Sequence, residues 1–116
     1  MITLVFLHER PVSLNKYYSG GHWSGRAEEA KRVHSLVRSK FKAPYKLLDV
    51  PVGITVTAYF KDRSLDADNI TSKLYIDGLK DVLLFNDSPK YVKWVKTIPK
   101  RDKLNPRVEI YIEELE

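Results

Sequence analysis

The segment from Val52 to Phe60 constrains the fold of this chain more than any other feature. Apolar side chains occupy every second position, and Thr55, Thr57 and Tyr59 stand between them. A period of two places the apolar side chains on one face of an extended strand and the polar ones on the other. Such a strand needs neighbouring strands and a second layer over its apolar face, so the segment predicts a sheet with helices packed on it.

Two segments have the period of an amphipathic helix. Within residues 26–42, apolar residues recur at intervals of three and four, and Pro44 follows as the stop signal. A second helical pattern begins after Leu65, near Asp68 or Asn69, which are both common N-cap residue types. The apolar positions of the two patterns are Ala30, Val33, Leu36, Val37 and Phe41, and then Ile70, Leu74, Ile76, Leu79 and Val82.

Three further segments predict strands. Residues 1–7 are apolar at alternate positions on both faces, which is typical of a central strand. Residues 91–98 and 107–112 predict two strands that the polar segment 99–106 joins as a hairpin. Residues 10–25, with three glycines and several aromatic residues, predict a long ordered loop. The expected fold is a single α+β domain over residues 1–116, with a mixed sheet of about four strands and two main helices in the order β-α-β-α-β-β.

The composition excludes several classes of protein. The 116 residues suffice for one hydrophobic core, and no apolar run approaches the roughly 20 residues that span a bilayer. Residues 1–7 lack the basic leader and cleavage site of a signal peptide, which predicts a cytoplasmic protein with no membrane partner. The absence of cysteine excludes disulfides and thiolate metal sites. The three histidines match no common ligand spacing and are expected to be ordinary polar residues: His8, His22 and His34.

The charges are unevenly distributed along the chain. The formal net charge is +5, which suits a polyanionic partner. Basic residues gather in segments 26–46 and 90–107, whereas acidic residues gather in segment 62–87. An acidic segment in a basic protein indicates a hard-cation site beside a phosphate-binding surface. Charged faces exposed to solvent would give the same composition.

The acidic segment contains a pair of carboxylates with one residue between them. Asp66 and Asp68 follow the predicted strand and point the same way if the chain is still extended there. Their repulsion at 4 Å would cost on the order of 1 to 4 kcal/mol, which a bound cation relieves. Magnesium suits such a pair because it binds one or two carboxylates, retains water and accepts phosphate oxygens as further ligands.

Three more polar residues extend this candidate site. A helix that begins near Asn69 would place Lys73 and Asp77 on the same face, one and two turns further on. Lys73 would then lie near the aspartate pair, where an ammonium group can bind a phosphate or stabilise a transition state. A surface salt bridge between Lys73 and Asp77 is the simpler alternative. Asp87 follows the helix and could return to the pair, although Asn, Asp, Ser and Pro also make ordinary turns.

Other catalytic motifs are missing. The chain has no glycine-rich phosphate loop, so no nucleotide cofactor is expected, and it has no nucleophile elbow. A calcium loop of the EF-hand kind fails as well, because Ile70 stands at a ligand position and Thr71 stands where glycine is required.

The order of these residues matches a family pattern. D-A-D-N at Asp66–Asn69 is followed by Lys73, by D-G-L at Asp77–Leu79 and by N-D at Asn86–Asp87. Near the amino terminus, Arg10–Tyr17 fits the motif P-x-S-x-N-x-Y. Together these residues resemble the RusA family of Holliday junction resolvases, which is common in phages and prophages, and the match extends over nearly the whole chain.

The resemblance implies a homodimeric, magnesium-dependent endonuclease that resolves four-way or other branched DNA junctions by paired phosphodiester hydrolysis. Manganese would substitute for magnesium, and the protein would act in a bacterial or phage-infected cell. In this chain the resemblance assigns the metal-binding catalytic carboxylates to Asp66, Asp68 and Asp87 and the catalytic lysine to Lys73. The position of Asn69 and Asp77 on the predicted helix face gives them an expected supporting role. The candidates for contacts with DNA phosphates are Arg32, Arg38, Lys90, Lys93 and Lys96.

Two alternatives remain open at this stage. A protein that binds branched DNA without cleaving it would have the same basic surface. A basic structural or regulatory domain with an acidic turn that binds no metal would have the same composition.

Overall fold

The alternating segment forms β2 (Val52–Phe60) of a four-stranded sheet, together with β1 (Ile2–Leu7), β3 (Val92–Arg101) and β4 (Arg107–Glu114). The structure, a computed structural model, describes residues 1–18 and 25–115. The strand order is β1-β4-β2-β3; β4 runs antiparallel to β1 and β2, and β3 runs parallel to β2. The predicted α+β domain with a mixed four-stranded sheet is therefore confirmed.

The positions of two strands differ from the prediction. β3 and β4 do not form a hairpin, because β2 lies between them. The fully buried residues of β4, such as Ile110, suit that inner position. β1 is an edge strand rather than a central one, with Leu7 67% exposed. Val5 and Leu7 of β1 project from the face of the sheet that no described helix covers. Apolar residues on both faces of this strand therefore did not mean that both faces are buried.

Three helices among the described residues complete the domain: α1 (Leu14–Tyr17), α2 (Arg26–Arg38) and α3 (Lys73–Leu79). The two longer ones cover one face of the sheet, which we call the covered face. None of the helices within residues 1–18 and 25–115 combines the length and apolar character needed to traverse a bilayer. The buried residues of the covered face and its helices include Leu4, Phe6, Val33, Val37, Ile54, Val56, Phe60, Leu74, Tyr75, Leu79, Val108, Ile110 and Ile112.

The helices before β2 differ from the prediction. α2 ends at Arg38, ahead of the predicted end at residue 42. Part of the predicted loop 10–25 is helical, since the Ser13 hydroxyl accepts a hydrogen bond from the Lys16 amide at 3.1 Å and caps α1. The rest of that prediction falls on residues 19–24, outside the described residues.

α3 begins later than predicted. Residues 67–69 form a single 3-10 turn, and Ile70 is extended and bridges to Ser13. The Thr71 hydroxyl donates to the carbonyl of Val12. These contacts with the amino-terminal segment hold the chain out of the helix until Lys73, so a tertiary interaction overrides the local capping signal.

The two long helices approach each other closely at Gly78. A Cβ atom at this position would lie 2.9 Å from the Cβ of Val37 and 3.3 Å from the Cα of His34. Only glycine leaves room for α2 at that distance. The close approach also places Asp77, the neighbour of Gly78, against the same turn of α2.

Candidate metal and nucleic-acid site

The turn that carries the aspartate pair is fixed to β3. The Asn69 amide donates to the Asp66 carbonyl at 2.9 Å and closes the 3-10 turn. The Thr97 hydroxyl donates to the Ala67 carbonyl at 2.5 Å and ties the turn to the strand. The side chains of Asp66 and Asp68 are therefore presented from a defined backbone, and both residues are exposed.

The amino-terminal motif packs against this turn. The Asn69 side-chain oxygen accepts a hydrogen bond from the Asn15 amide at 3.0 Å, across 54 positions of sequence. A hollow of about 340 Å³ lies at the junction, and its walls are Leu14, Asn15, Asp66, Asp68 and Asn69. The amino-terminal segment and the D-A-D-N segment thus line the same hollow.

The carboxylates of Asp66 and Asp68 suit a hard cation. Neither side chain forms a hydrogen bond or ion pair within residues 1–18 and 25–115. The hollow therefore presents two uncommitted carboxylates, which is the donor type that magnesium prefers. Asn69 is less suited to be a ligand, because its side-chain oxygen already accepts from Asn15.

Lys73 and Asp87 lie in an adjacent hollow of about 240 Å³, whose other walls are Ser72, Ile76, Asp77, Val92 and Val95. Lys73 Nζ is 3.1 Å from Asp77 Oδ2. This hydrogen bond, together with the negative charge of Asp77, raises the pKa of Lys73 above its usual value. Asp87 forms a longer ion pair of 3.8 Å with Lys80.

The structure does not gather all three predicted carboxylates at one point. In the part of the chain that the structure describes, no three His, Asp or Glu side chains are placed to share a metal ion. Val95 lines the Lys73 hollow and Thr97 contacts the aspartate turn, so the two sites meet β3 at residues about 7 Å apart along the strand. Asp87 as a third ligand of the same ion stays a prediction.

The predicted helix face with Asn69, Lys73 and Asp77 one turn apart is only partly present. Lys73 and Asp77 do face each other one turn apart on α3. Asn69 lies outside the helix. Asn69 therefore supports the site by holding the amino-terminal segment, whereas Asp77 holds the Lys73 ammonium group.

The predicted DNA-contacting residues fall into two groups. Lys93 and Lys96 are exposed on β3, and Lys90 precedes this strand with its ammonium group 5.4 Å from the Tyr91 ring. Arg38 lies at the end of α2, where its Nε donates to the Gly78 carbonyl at 3.4 Å. Arg32 is held by the carboxylates of Glu9 and Glu29, so its charge is already balanced.

Sequence reasoning missed a partly buried network centred on Glu9. Arg32 donates to both oxygens of Glu9, at 2.9 and 3.0 Å, and also to Glu29 at 2.8 and 3.0 Å. The hydroxyl of Tyr75 donates to Glu9 at 2.7 Å. The hydrogen bonds to Glu29 and Glu9 raise the pKa of Arg32, and burial raises the pKa of Tyr75. The spacing of Glu29 and Arg32 on one helix was a readable signal, but nothing local linked Glu9 to Tyr75.

The histidines have different surroundings. His8 is exposed with a positive φ of 63°, and His22 lies outside the described residues. His34 is half-buried beside Asp77, and burial lowers its pKa while the Asp77 charge opposes that shift. Within the described chain, His34 Nε2 and Asp77 Oδ1 are buried without a hydrogen-bond partner.

Comparison with known proteins gives no identification. No protein-family model matches this chain, and no curated protein sequence matches it. The resemblance to the RusA resolvases therefore depends on the motif residues of the sequence alone.

Proposed function

We propose that this protein is a magnesium-dependent, structure-specific endonuclease that resolves four-way or other branched DNA junctions by paired phosphodiester hydrolysis. One observation carries the proposal. The amino-terminal motif and the D-A-D-N segment meet through the Asn15–Asn69 hydrogen bond, and the hollow between them presents the free carboxylates of Asp66 and Asp68. Paired cuts in a junction with two-fold symmetry require two active sites, so we propose that the protein acts as a homodimer.

Asp66 and Asp68 would hold the metal. A magnesium ion, or manganese in its place, supplies Lewis-acid polarisation of the phosphodiester and a water of lowered pKa when it is bound. The pair leaves the remaining coordination positions open to water and phosphate oxygens, as magnesium sites usually do. Asp87 would approach from the adjacent hollow and contribute through a water or by direct ligation.

Lys73 would act as a cation rather than as a base. Its raised pKa keeps the ammonium group protonated near neutral pH, so it cannot accept a proton from water there. An ammonium group beside the carboxylate hollow can instead bind a phosphate oxygen and stabilise charge that develops in the transition state. Asp77 holds Lys73 in place and is a positioning residue.

The exposed lysines near β3 would contact the DNA backbone. Two such contacts, from Lys90 and Lys93, would give a slope of about −2 in a plot of log binding constant against log salt concentration. Lys96 is left out of this set because it pairs with Thr55, on the face of the sheet away from the helices. Arg38 would add a contact from the end of α2. We assign Arg32 a structural role in place of a DNA contact because Glu9 and Glu29 already neutralise it.

The proposal is tested with labelled four-way, flap and linear duplex DNA, each with and without magnesium. We expect the wild-type protein to nick a branched substrate only when magnesium is present. Asp68→Asn should abolish cleavage and leave junction binding in EDTA nearly unchanged. Asp49→Asn removes an equivalent exposed carboxylate far along the chain and should cleave normally. Cleavage by Asp68→Asn at the wild-type rate would overturn the assignment.

One observation favours a second candidate function. Because the described residues place no three metal ligands together, the chain would also suit a protein that binds branched DNA without cutting it. That candidate predicts salt-sensitive binding of junctions with no magnesium-dependent nicking of any substrate. It also predicts that magnesium leaves the melting temperature unchanged, whereas a metal bound at Asp66 and Asp68 raises it.

A further inference from the structure

The sheet has a second face that carries no helix among the described residues. Side chains on this open face alternate with those of the core, and the strands place Thr55, Thr57 and Tyr59 of β2 beside Lys96, Ile98 and Lys100 of β3. None of these six residues is buried, whereas the alternate residues of β2 are. The open face is thus a surface about 20 Å long between residues 94 and 100 of β3.

Trp94 lies across this face at one end. A Cβ atom on Gly53, its partner in the register, would be 2.1, 2.2 and 2.6 Å from three atoms of the indole ring. The ring therefore occupies the space that a side chain at residue 53 would fill, and it rests on the backbone of β2. Trp94 is half-exposed, so the indole also meets solvent.

Two lysines accompany the aromatic residues. Lys96 Nζ is 4.7 Å from the centre of the Trp94 ring, and Lys100 Nζ is 5.9 Å from the centre of the Tyr59 ring. In the described chain neither lysine has a carboxylate within 4.0 Å. Both ammonium groups are therefore available to an anion.

The acidic residues of the open face lie one strand away, on β4. Glu109 is paired with Arg107 at 2.6 Å, and Arg107 also pairs with Asp102 at 2.8 Å and stacks 3.7 Å from the Tyr59 ring centre. Glu113 of β4, which lies opposite Gly53, has no ion pair among the described residues. The part of the face formed by β2 and β3 therefore contains two free cations and no carboxylate. We call this part the β2–β3 strip; its residues are Gly53, Thr55, Thr57, Tyr59, Trp94, Lys96, Ile98 and Lys100.

We propose that the β2–β3 strip binds single-stranded nucleic acid, with a base stacked on Trp94 and phosphates bound by Lys96 and Lys100. Aromatic side chains next to a cationic track are what proteins use to bind single strands without sequence preference. A duplex shields the faces of its bases, so the strip would discriminate against it. The length of the strip suits about four nucleotides, at the lower end of known site sizes.

This site is separate from the proposed metal site. Thr97, which contacts the aspartate turn, pairs with the buried Val56 and so belongs to the covered face, whereas Trp94, Lys96 and Lys100 belong to the open face. Binding at the strip needs no metal. It can therefore be measured in a chelator, where failure of the nuclease proposal has no effect on the result.

The test uses the fluorescence of Trp94. The chain has two tryptophans, so Trp23→Phe leaves Trp94 as the only one. Titration with an eight-nucleotide oligothymidylate in EDTA and low salt should quench and shift its emission, whereas a blunt hairpin duplex with the same number of phosphates should have a much smaller effect. Anisotropy of a labelled oligonucleotide then measures affinity in variants that lack Trp94.

Two variants separate stacking from charge. Trp94→Ala should weaken the oligonucleotide about 5- to 150-fold, and Trp94→Phe should weaken it less, because a smaller ring still stacks. Lys96→Ala with Lys100→Ala should reduce the slope of log affinity against log salt by about 1.4. The matched control removes two exposed lysines elsewhere, Lys31→Ala with Lys46→Ala, and should change affinity little.

Three results would overturn the proposal. The first is unchanged Trp94 emission at saturating oligonucleotide. The second is an equal loss of affinity in the lysine variant and its control, which would mean that only the net charge matters. The third is that Trp94→Ala sediments with a different molecular mass from the wild type but binds the oligonucleotide with the same affinity. That result would mean that the open face is a contact between two copies of the chain.

Discussion

The hydrogen bond between Tyr75 and Glu9 is the most informative one to remove. Tyr75 is 1% exposed and Glu9 is 8% exposed, and the bond links α3 to the segment that follows β1. A hydrogen bond to a charged group contributes about 1.5–3 kcal/mol. Arg32 still donates to the same carboxylate oxygen when the hydroxyl is removed. We therefore expect Tyr75→Phe to lower the free energy of unfolding by the lower part of that range, about 1.5–2 kcal/mol.

The assay is urea unfolding followed by circular dichroism, with thermal unfolding beside it. The midpoint should fall while the m-value stays constant, because Phe fills the same space and leaves the exposed surface unchanged. For a domain of this size the melting temperature should fall by about 5–10 °C. Tyr45→Phe is the matched control, since it removes the same atom from a ring that is 46% exposed, and it should stay within about 0.5 kcal/mol of wild type. If Tyr75→Phe also stays within that limit, the Glu9 network does not stabilise the fold as argued.

Three further predictions concern α3 and the residues that pack against it. Above pH 10.0, the unperturbed pKa of tyrosine, the unfolded state releases the Tyr75 proton while the folded state retains it. In urea titrations the unfolding free energy of the wild type should therefore fall more steeply with pH than that of Tyr75→Phe, by up to about 1.4 kcal/mol per pH unit. Below pH 6.5 His34 is protonated more readily in the unfolded state than in the folded state, because burial lowers the folded pKa more than Asp77 raises it. The unfolding free energy should therefore fall as the pH is lowered, and it should fall less in His34→Gln; equal slopes of unfolding free energy against pH in the two proteins would contradict this. Gly78→Ala should lower the unfolding free energy by about 1–3 kcal/mol, because the new methyl group would lie 2.9 Å from Val37 and must push the helices apart; an unchanged urea midpoint would show that α2 yields freely.

Local patterns predicted the elements well. The alternation of residues 52–60 became β2 with its apolar side chains in the core, and the helical pattern of residues 26–42 became α2 as far as Arg38. Both patterns report which face of one element is apolar, and a single buried face is enough to specify that element. The aspartate pair was also a local feature, and Asp66 and Asp68 do share one hollow.

Which strands are neighbours depended on the tertiary structure. β3 and β4 follow each other closely in the sequence, which suggested a hairpin, but β2 lies between them in the sheet. The apolar amino-terminal strand, β1, lies at the edge of the sheet. The pattern of a strand indicates that one face is apolar, but it does not indicate what covers that face. Which strands pair with each other is therefore decided by the packing of all four strands and two helices together. The late start of α3 has the same origin, because Thr71 and Ile70 bind the amino-terminal segment instead of extending the helix.

The sequence by itself determined that this chain is one α+β domain with an acidic pair in a basic protein. Only the tertiary structure decided that Asn15 meets Asn69, that Asp87 lies beside Lys73 in a neighbouring hollow, and that Glu9 binds Arg32 and Tyr75. The reason is physical: periodicity and turn chemistry depend on neighbours within a few residues, whereas these contacts join side chains up to 66 positions apart and form only once the sheet and helices are packed.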